Sequence, residues 1–312
     1  MKNDKEYLRR RIDFSKNLYK EVLPVIAPFE KDRKKYLLYL SIMTILVSFI
    51  IYLVYIFFFK SIFRFEIFYF GLIYLVPIIF LCIFQDTFHS DISGIVMKNL
   101  CSCFGDIHWQ KSNIINNDST YVLAQVIPSH DKDEHDDAFL GAYKGVNVVI
   151  DEAHYYIKVR TKNGTSYSTV FDGIVITFEF NKEFKSHTVI KNNSLLHISP
   201  SMKLKHTVLE DVEFEKKFDV YTNDELEARY LITPSFMDRL NNLKMSFRCS
   251  KIVCSFYKNS LYISLDTRKN MFDIASLFKS VLNEKQYFQL FDEFYSILNI
   301  VDVLKLNQKI GM

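Results

Sequence analysis

Two stretches without a charged side chain constrain this chain more than any other feature of its sequence. Tyr36 to Phe59 has 24 residues and Ile67 to Phe84 has 18, and neither contains Asp, Glu, Lys or Arg. As helices they would be about 36 and about 27 Å long, close to the roughly 30 Å hydrocarbon core of a bilayer. The sequence therefore predicts two transmembrane helices, with Lys60 to Glu66 as the turn of a helical hairpin.

The distribution of charge predicts the orientation of this hairpin. Residues 1–35 carry eleven Lys or Arg, whereas the loop carries only Lys60 and Arg64. Basic residues near spans are retained on the cytoplasmic side, so both termini are expected there, in a multi-pass membrane protein that contacts the lipid bilayer. The formal net charge is +3. Because residues 86–312 are slightly acidic, with 26 basic and 29 acidic residues, we expect no nucleic-acid partner.

The rest of the chain predicts an α+β domain. We divide the sequence into a basic N-terminal segment (1–35), the hairpin (36–84), a connector (85–120) and a domain (121–312). Short runs rich in β-branched and aromatic residues, typical of strands, are Tyr121–Ile127, Val146–Asp151, Tyr155–Thr161, Ser166–Phe171, Ile174–Phe180 and Thr188–Lys191. Asn163-Gly164 predicts one hairpin, and a second joins Ile252–Tyr257 to Leu261–Leu265. Consecutive strands without intervening helices favour a mainly antiparallel sheet.

Helices are predicted later in the domain. Thr222 to Glu225 has the spacing of a capping box, and Thr233 before Pro234 is a second helix start. A long C-terminal helix is predicted from Asn283 to about Asn307. Its apolar residues recur at spacings of three and four, and they are Tyr287, Leu290, Phe291, Phe294, Leu298, Val301 and Leu304.

No motif in the sequence predicts a cofactor or a metal site. The run His130 to Asp137 is rich in His and Asp but lacks the glycine that a calcium loop needs at its sixth position, so we interpret it as a solvated loop. Cys101 and Cys103 with His108 do not have the spacing of a structural zinc site. Five cysteines, an odd number, imply no disulfide framework, and the common catalytic and phosphate-binding motifs are missing from the sequence.

One block of residues resembles a known family. It reads Leu209-Glu210-Asp211, then Glu227-Ala228-Arg229-Tyr230, Thr233-Pro234-x-Phe236-Met237 and Arg239-Leu240, with upstream matches at Asp136-Asp137-x-Phe139-x-Gly141 and Phe171-x-Gly173-Ile174. The block is similar to a bacterial family of membrane-anchored proteins that carry a domain of unknown function. The resemblance implies two N-terminal spans, the bacterial inner (plasma) membrane, and genes beside those for LemA-type membrane proteins. A LemA-type protein is therefore the partner that it suggests.

The residues of this block allow two interpretations. Glu227 and Arg229 are two apart on a helix, so they face different ways and need separate partners. Arg229 either braces the fold against Glu210 or Asp211, or binds a phosphate or carboxylate. The candidate site residues are Glu210, Asp211, Glu227, Arg229, Tyr230 and Arg239.

The leading hypothesis is a membrane-anchored, cytoplasmic-facing binding or scaffold module. The alternative is a membrane-tethered hydrolase, or a phosphate-binding enzyme, whose site contains Glu210, Asp211, Glu227 and Arg229.

Overall fold

The computed structural model describes residues 5–58, 75–111, 118–162, 164–181, 183–193, 203–272, 274 and 277–303. The predicted membrane loop 60–66, the first part of the second predicted span (67–74), Asn163 and the end of the last predicted helix from 304 lie outside these residues. The chain divides into two compact units. The larger unit comprises Met1–Arg10, Leu100–Phe272 and Gln289–Met312, and the smaller comprises Arg11–Asn99 and Asp273–Phe288.

The described residues between 5 and 102 are helical. Helix α1 (Lys5–Asn17) continues through a π-helical turn (Leu18–Val22) into α2 (Leu23–Phe58), and α3 covers Leu75–Ser102. Within the smaller unit, α2 is fixed by an ion pair in which Arg33 donates two hydrogen bonds to Glu30, at 2.9 and 2.7 Å. Both side chains are buried, and Glu30 also accepts from the backbone N–H of Val281 at 3.1 Å.

The predicted transmembrane hairpin is wrong for the part of the chain that the structure describes. Across those residues, no helix combines the length and the apolarity that crossing a membrane requires. The uncharged runs do not coincide with the helices: α2 begins 13 residues before Tyr36 and includes the charged block 30–35, and α3 extends 18 residues beyond Phe84. The expected spans at 36–59 and 67–84, and the multi-pass inner-membrane location inferred from them, are corrected accordingly.

The larger unit is built on one antiparallel sheet. The strands of its described residues are β1 (Asp106–Lys111), β2 (Lys132–Tyr143), β3 (Val146–Thr161), β4 (Gly164–Glu179), β5 (Thr188–Asn192), β6 (Lys205–Thr207), β7 (Phe218–Thr222), β8 (Lys251–Tyr257) and β9 (Ser260–Asp266). Their order across the sheet is β1-β2-β3-β4-β9-β8-β5-β7-β6, and neighbouring strands are antiparallel. The antiparallel sheet predicted from consecutive β-type runs is thus observed.

Strands β3 and β4 are longer than the sequence suggests. Runs that we predicted as separate strands merge, so each strand has 16 residues and they pair from Asn147↔Glu179 to Thr161↔Gly164. The predicted hairpin is therefore confirmed by its pairing. Gly173 in β4 is required by close packing, since a Cβ there would lie 2.0 Å from the carbonyl oxygen of Leu265.

Short helices complete the larger unit. Helix α4 (Asp118–Leu123) occupies part of the run that we predicted as a strand, and Tyr121 from it is buried with its ring centroid 6.0 Å from that of Tyr262. The strand prediction for 121–127 is wrong because packing under the sheet outweighs β-propensity. The other helices are α5 (Val212–Glu215), α6 (Glu225–Leu231), α7 (Pro234–Phe247) and α8 (Glu284–Val303).

The starts of these later helices follow the sequence signals closely. Thr233 caps α7 by accepting a hydrogen bond from the N–H of Phe236, as predicted. Helix α6 begins at Glu225, two residues later than a cap at Thr222 predicts, because its cap is Asp224. The apolar face predicted for α8 is buried, and its Phe294 lies 5.0 Å from Phe139 of β2, measured between ring centroids.

Candidate functional site

The six residues singled out by the sequence are held by separate local contacts. Asp211 caps α5, accepting hydrogen bonds from the N–H groups of Glu213 and Phe214. Glu227 accepts from the backbone N–H of Lys185 at 2.9 Å. Capping and backbone contacts of this kind stabilise the local fold, and they direct these two carboxylates toward different partners.

Arg229 contacts Glu210, the first of its two expected partners, at the surface of the protein. Its guanidinium lies 3.8 Å from a carboxylate oxygen of Glu210, and it donates a hydrogen bond to the carbonyl of Val208 at 3.1 Å. The Arg229 side chain is 42% exposed and that of Glu210 is 96% exposed, so the pair is not the buried brace that we considered. Tyr230 is exposed and Arg239 is partly exposed.

The His- and Asp-rich run is part of β2 and not a solvated loop. The structure places Lys132 to Asp137 in the strand, where His135 and Asp137 are directed into protein. On one face of the sheet, His135 Nδ1 is 2.8 Å from Asp151 Oδ2, while its Nε2 lies 3.6 Å from Asp118 and 3.5 Å from Asp133. We call these four residues the histidine cluster.

Electrostatics in the histidine cluster favour a protonated imidazole. Burial alone would lower the pKa of His135, but its hydrogen bond to Asp151 and the charges of Asp151, Asp118 and Asp133 outweigh that effect, so the pKa is raised above the ordinary 6.5. Tyr155 donates a hydrogen bond to Asp118 at 2.6 Å, and burial raises the pKa of this phenol. The tyrosine is therefore not activated as a nucleophile at neutral pH.

A second group of carboxylates lies at a bulge in β2. His135 pairs with Ala153 and Ala138 pairs with Asp151, so the two residues Asp136 and Asp137 face the single residue Glu152 on β3. One carboxylate oxygen from each of these three acids lies within 4.8 Å of the others. We call Asp136, Asp137 and Glu152 the bulge cluster.

The bulge cluster is the more buried group. Glu152 has no exposed surface and Asp137 is 1% exposed. Burial raises the pKa of Glu152 well above its ordinary value, and the neighbouring charges of Asp137 and Asp136 raise it further. Both the bulge cluster and a group made by Asp118, His130 and Asp133 have the spacing of metal ligands. Cys101, Cys103 and His108 do not form such a group among the described residues.

Sequence reasoning missed the bulge cluster for a physical reason. The sequence places Glu152 close to His154, but His154 Nδ1 lies 2.9 Å from Asp172. The acids of the cluster are about fifteen positions apart in sequence, and only the register of β2 on β3 brings them together. Alternation in an unbulged strand would have placed Asp136 and Asp137 on opposite faces.

The described cysteines do not form a catalytic centre. Cys101, Cys249 and Cys254 are buried and without disulfide partners. Burial raises the pKa of Cys101 to about 12 and that of Cys249 to about 11, so these thiols stay protonated at neutral pH.

Comparison with known proteins gives a family match and a distant structural likeness. Residues 169–306 contain a domain described as "Protein of unknown function (DUF3137)", which confirms the resemblance at the level of a domain of unknown function. No curated protein matches the chain. The bulge cluster lies before the matched residues.

Among solved structures, the chain is similar to the mycobacterial trehalose monomycolate transport factor A, TtfA. The two are 10% identical with a TM-score of 0.36, and the match covers 67% of this chain and 95% of that one. At this TM-score the likeness carries no argument about function.

Proposed function

We propose that this chain is a protein-binding domain, and that a basic β-ribbon at one end of its sheet contacts an acidic segment of the partner. The ribbon consists of residues 157–162 of β3 and its following turn together with residues 164–169 of β4, and we call it the arm. The observation that carries the proposal is that the arm projects beyond both neighbouring strands and carries basic side chains and no acidic one.

The pairing register defines the arm. On one side, β2 pairs with β3 only as far as Lys132↔Tyr156. On the other side, β9 pairs with β4 only from Gly173 onward. Within the described residues, the arm strands therefore pair with each other alone, and most of their side chains are exposed. At the β3 edge the N–H of Lys158 donates to Asp131 Oδ2 at 2.7 Å. Beyond this contact neither edge of the arm has a neighbouring strand among the described residues, so backbone N–H and C=O groups are offered to an added strand.

The positive charge of the arm indicates that its partner is acidic. The stretch 156–170 contains Lys158, Arg160 and Lys162 and no acidic residue. Alternation along β3 places Lys158 and Arg160 on one face, and Tyr167, paired with Lys158, shares that face. Lys162 follows in the turn. Lys132 borders this face, with its Nζ 5.9 Å from the Tyr167 ring centroid, but its charge is paired with that of Glu134. An acidic strand laid along the arm would meet complementary charge along its length.

Folding alone does not account for this face. An isolated two-stranded ribbon is at best marginally stable, and the exposed arm buries few apolar side chains. The basic side chains of Lys158 and Arg160, on one face of β3, also repel each other without a partner. A partner with acidic residues would relieve that repulsion, so the sequence of the arm fits recognition better than stability.

The alternative hydrolase has less support. Its acids would need to converge on a reacting group. Asp211 is occupied as a helix cap, Glu227 accepts a backbone hydrogen bond, and Arg229 pairs with the exposed Glu210. These contacts favour structural roles for the four residues.

Site-specific photocrosslinking tests the proposal in cells that express the full chain. A photoreactive amino acid replaces Tyr167 on the arm or, as a matched control, Tyr230 in the alternative site. The two tyrosines are similarly exposed, at 53% and 58%. We expect a discrete protein adduct from position 167, and mass spectrometry of that adduct tests whether the partner is the LemA-type protein that the resemblance suggests.

Charge reversal makes this experiment specific. Replacing Lys158 and Arg160 by Glu is expected to abolish the adduct at 167 while leaving the circular dichroism spectrum unchanged, because both side chains are exposed. An adduct that persists after charge reversal, one that nuclease removes, or one formed only from position 230 would contradict the proposal.

A further inference from the structure

The bulge in β2 creates a site that the proposed binding function does not use. In a regular pair of strands, one residue faces one residue, and neighbouring side chains point to opposite faces. At this bulge, Asp136 and Asp137 both oppose Glu152. A strand irregularity that brings three acids within 4.8 Å of one another means that, when ionised, their negative charges repel strongly.

Each carboxylate of the bulge cluster is oriented by a neutral donor. Trp109 Nε1 donates to Asp137 at 2.8 Å, and Asn270 Nδ2 donates to Asp136 at 3.0 Å. The backbone N–H of Met271 donates to Glu152 Oε1 at 2.6 Å. The donors to Asp136 and Glu152 are neutral, so these hydrogen bonds hold the two carboxylates in place without neutralising them. Metal-binding carboxylates are held in the same way by groups beyond the ligands.

Glu152 supplies an independent indication of a ligand. Its side chain has no exposed surface, and its Oε2 has no hydrogen-bond partner among the described residues. Neither Glu152 nor Asp136 forms an ion pair with Lys or Arg in that part of the chain. A buried carboxylate oxygen without a partner is costly unless a proton or a cation satisfies it.

We propose that Asp136, Asp137 and Glu152 bind a hard divalent cation, of the class of Mg²⁺, Mn²⁺ or Ca²⁺. Ligand oxygens lie about 2.0–2.6 Å from such ions, so oxygens that share one are separated by at most about 4 to 5 Å. The 4.8 Å limit of the cluster agrees with this geometry. An all-oxygen ligand set selects these ions over Zn²⁺ or Cu²⁺, which prefer nitrogen and sulfur.

The partly exposed side of Asp136 gives the ion access to solvent. Asp137 and Glu152 are buried, whereas Asp136 is only partly buried. Water molecules on that side would complete the coordination, as they commonly do for Mg²⁺ and Mn²⁺. The rigid pairing of β2 and β3 fixes the ligands in advance.

Terbium luminescence tests the site on the full chain after treatment with EDTA. The chain has one tryptophan, Trp109, whose indole bonds directly to Asp137. Light absorbed by this indole is therefore transferred to a Tb³⁺ ion bound in the cluster. We expect a saturable Tb³⁺ signal under tryptophan excitation, and its displacement by Ca²⁺, Mn²⁺ or Mg²⁺ ranks the natural candidates. Isothermal titration with each metal gives the affinity independently.

Two variants and one control decide the assignment. Glu152→Gln keeps the shape but removes a charged ligand, and Asp136→Asn does the same at the partly exposed position. We expect each to weaken Tb³⁺ and Ca²⁺ binding about tenfold or more, the scale reached even by changes beyond the ligands. Asp133→Asn, in the neighbouring His130 group, should leave binding unchanged.

Folding is checked by circular dichroism on every variant, and Asp136→Asn provides the test if Glu152→Gln does not fold. The proposal is overturned if the wild-type chain shows no saturable binding, or if the wild type and the folded variants bind with equal affinity. In either case the three acids form a protonated cluster and not a metal site. If Asp133→Asn weakens metal binding as much as the other two variants do, the ion binds on the other face of the sheet, and the proposal is overturned as well.

Discussion

The buried ion pair of α2 gives a sharp stability prediction. Arg33 donates two hydrogen bonds to Glu30, which also accepts from Val281, and Arg33 donates a further bond to the carbonyl of Leu277 at 2.6 Å. Glu30→Gln keeps the size of the side chain but turns an amide donor toward the guanidinium. Because the Arg33 charge is then left buried without a counter-charge, we expect a loss of about 3–5 kcal/mol in the free energy of unfolding.

The assay is urea denaturation followed by circular dichroism, with hydrogen exchange of peptides covering 23–36 and 277–288 to confirm that the loss is local. Asp32→Asn is the matched control, because Asp32 pairs with Lys35 at 4.0 Å on the exposed side of the same helix. That change should cost less than about 1 kcal/mol. Replacing Glu30 and Arg33 together by Gln and Met should recover most of the loss.

The same pair predicts a dependence on pH. The hydrogen bonds from Arg33 hold the pKa of Glu30 below its ordinary 4.5, against the opposing effect of burial. A group with a lowered pKa stabilises the folded chain above its unfolded pKa, and this contribution is lost as pH falls through the folded value. Wild-type stability should therefore fall more steeply below pH 4.5 than that of Glu30→Gln. Equal slopes, or equal losses for Glu30→Gln and Asp32→Asn, would refute the reasoning.

Three further predictions concern the larger unit. Gly173→Ala should cost about 1–3 kcal/mol in urea denaturation, because the new Cβ would lie 2.0 Å from the carbonyl oxygen of Leu265; an unchanged midpoint would show that the strands separate easily. Thr233→Ala should cost about 1 kcal/mol through loss of its helix cap, whereas Thr233→Ser should retain the stability of the wild type. Arg229→Ala should cost less than about 1 kcal/mol, since its pair with Glu210 is exposed, and a loss above 3 kcal/mol would instead indicate a buried brace.

Local signals in the sequence predicted local structure well. The cap at Thr233, the pairing around Gly164 and the hairpin of β8 and β9 are observed, because each depends on residues a few positions apart. The buried face of α8 followed from its helical spacing for the same reason. The strand prediction at 121–127 failed because Tyr121 is held by packing against a residue distant in sequence, Tyr262.

Features that depend on the register between paired strands could not be predicted from the sequence. The merging of short runs into β3 and β4, and hence the length of the arm, requires knowing where β2 and β9 stop. The bulge at Asp136 and Asp137 likewise follows from how β2 lies on β3. The membrane prediction rested on counting uncharged residues, whereas the described helices begin and end elsewhere.

The central claim is that the arm, and not the block around Arg229, recognises a partner protein. Amide hydrogen exchange of the isolated chain and of the chain copurified with its crosslinked partner compares the two surfaces directly. Beyond Lys158 the arm has no neighbouring strand on either edge, so its amides at 159–162 and 164–169 should exchange rapidly in the isolated chain and become protected in the complex, while those of 225–240 change little. Protection confined to 225–240, with the arm unchanged, would contradict the account.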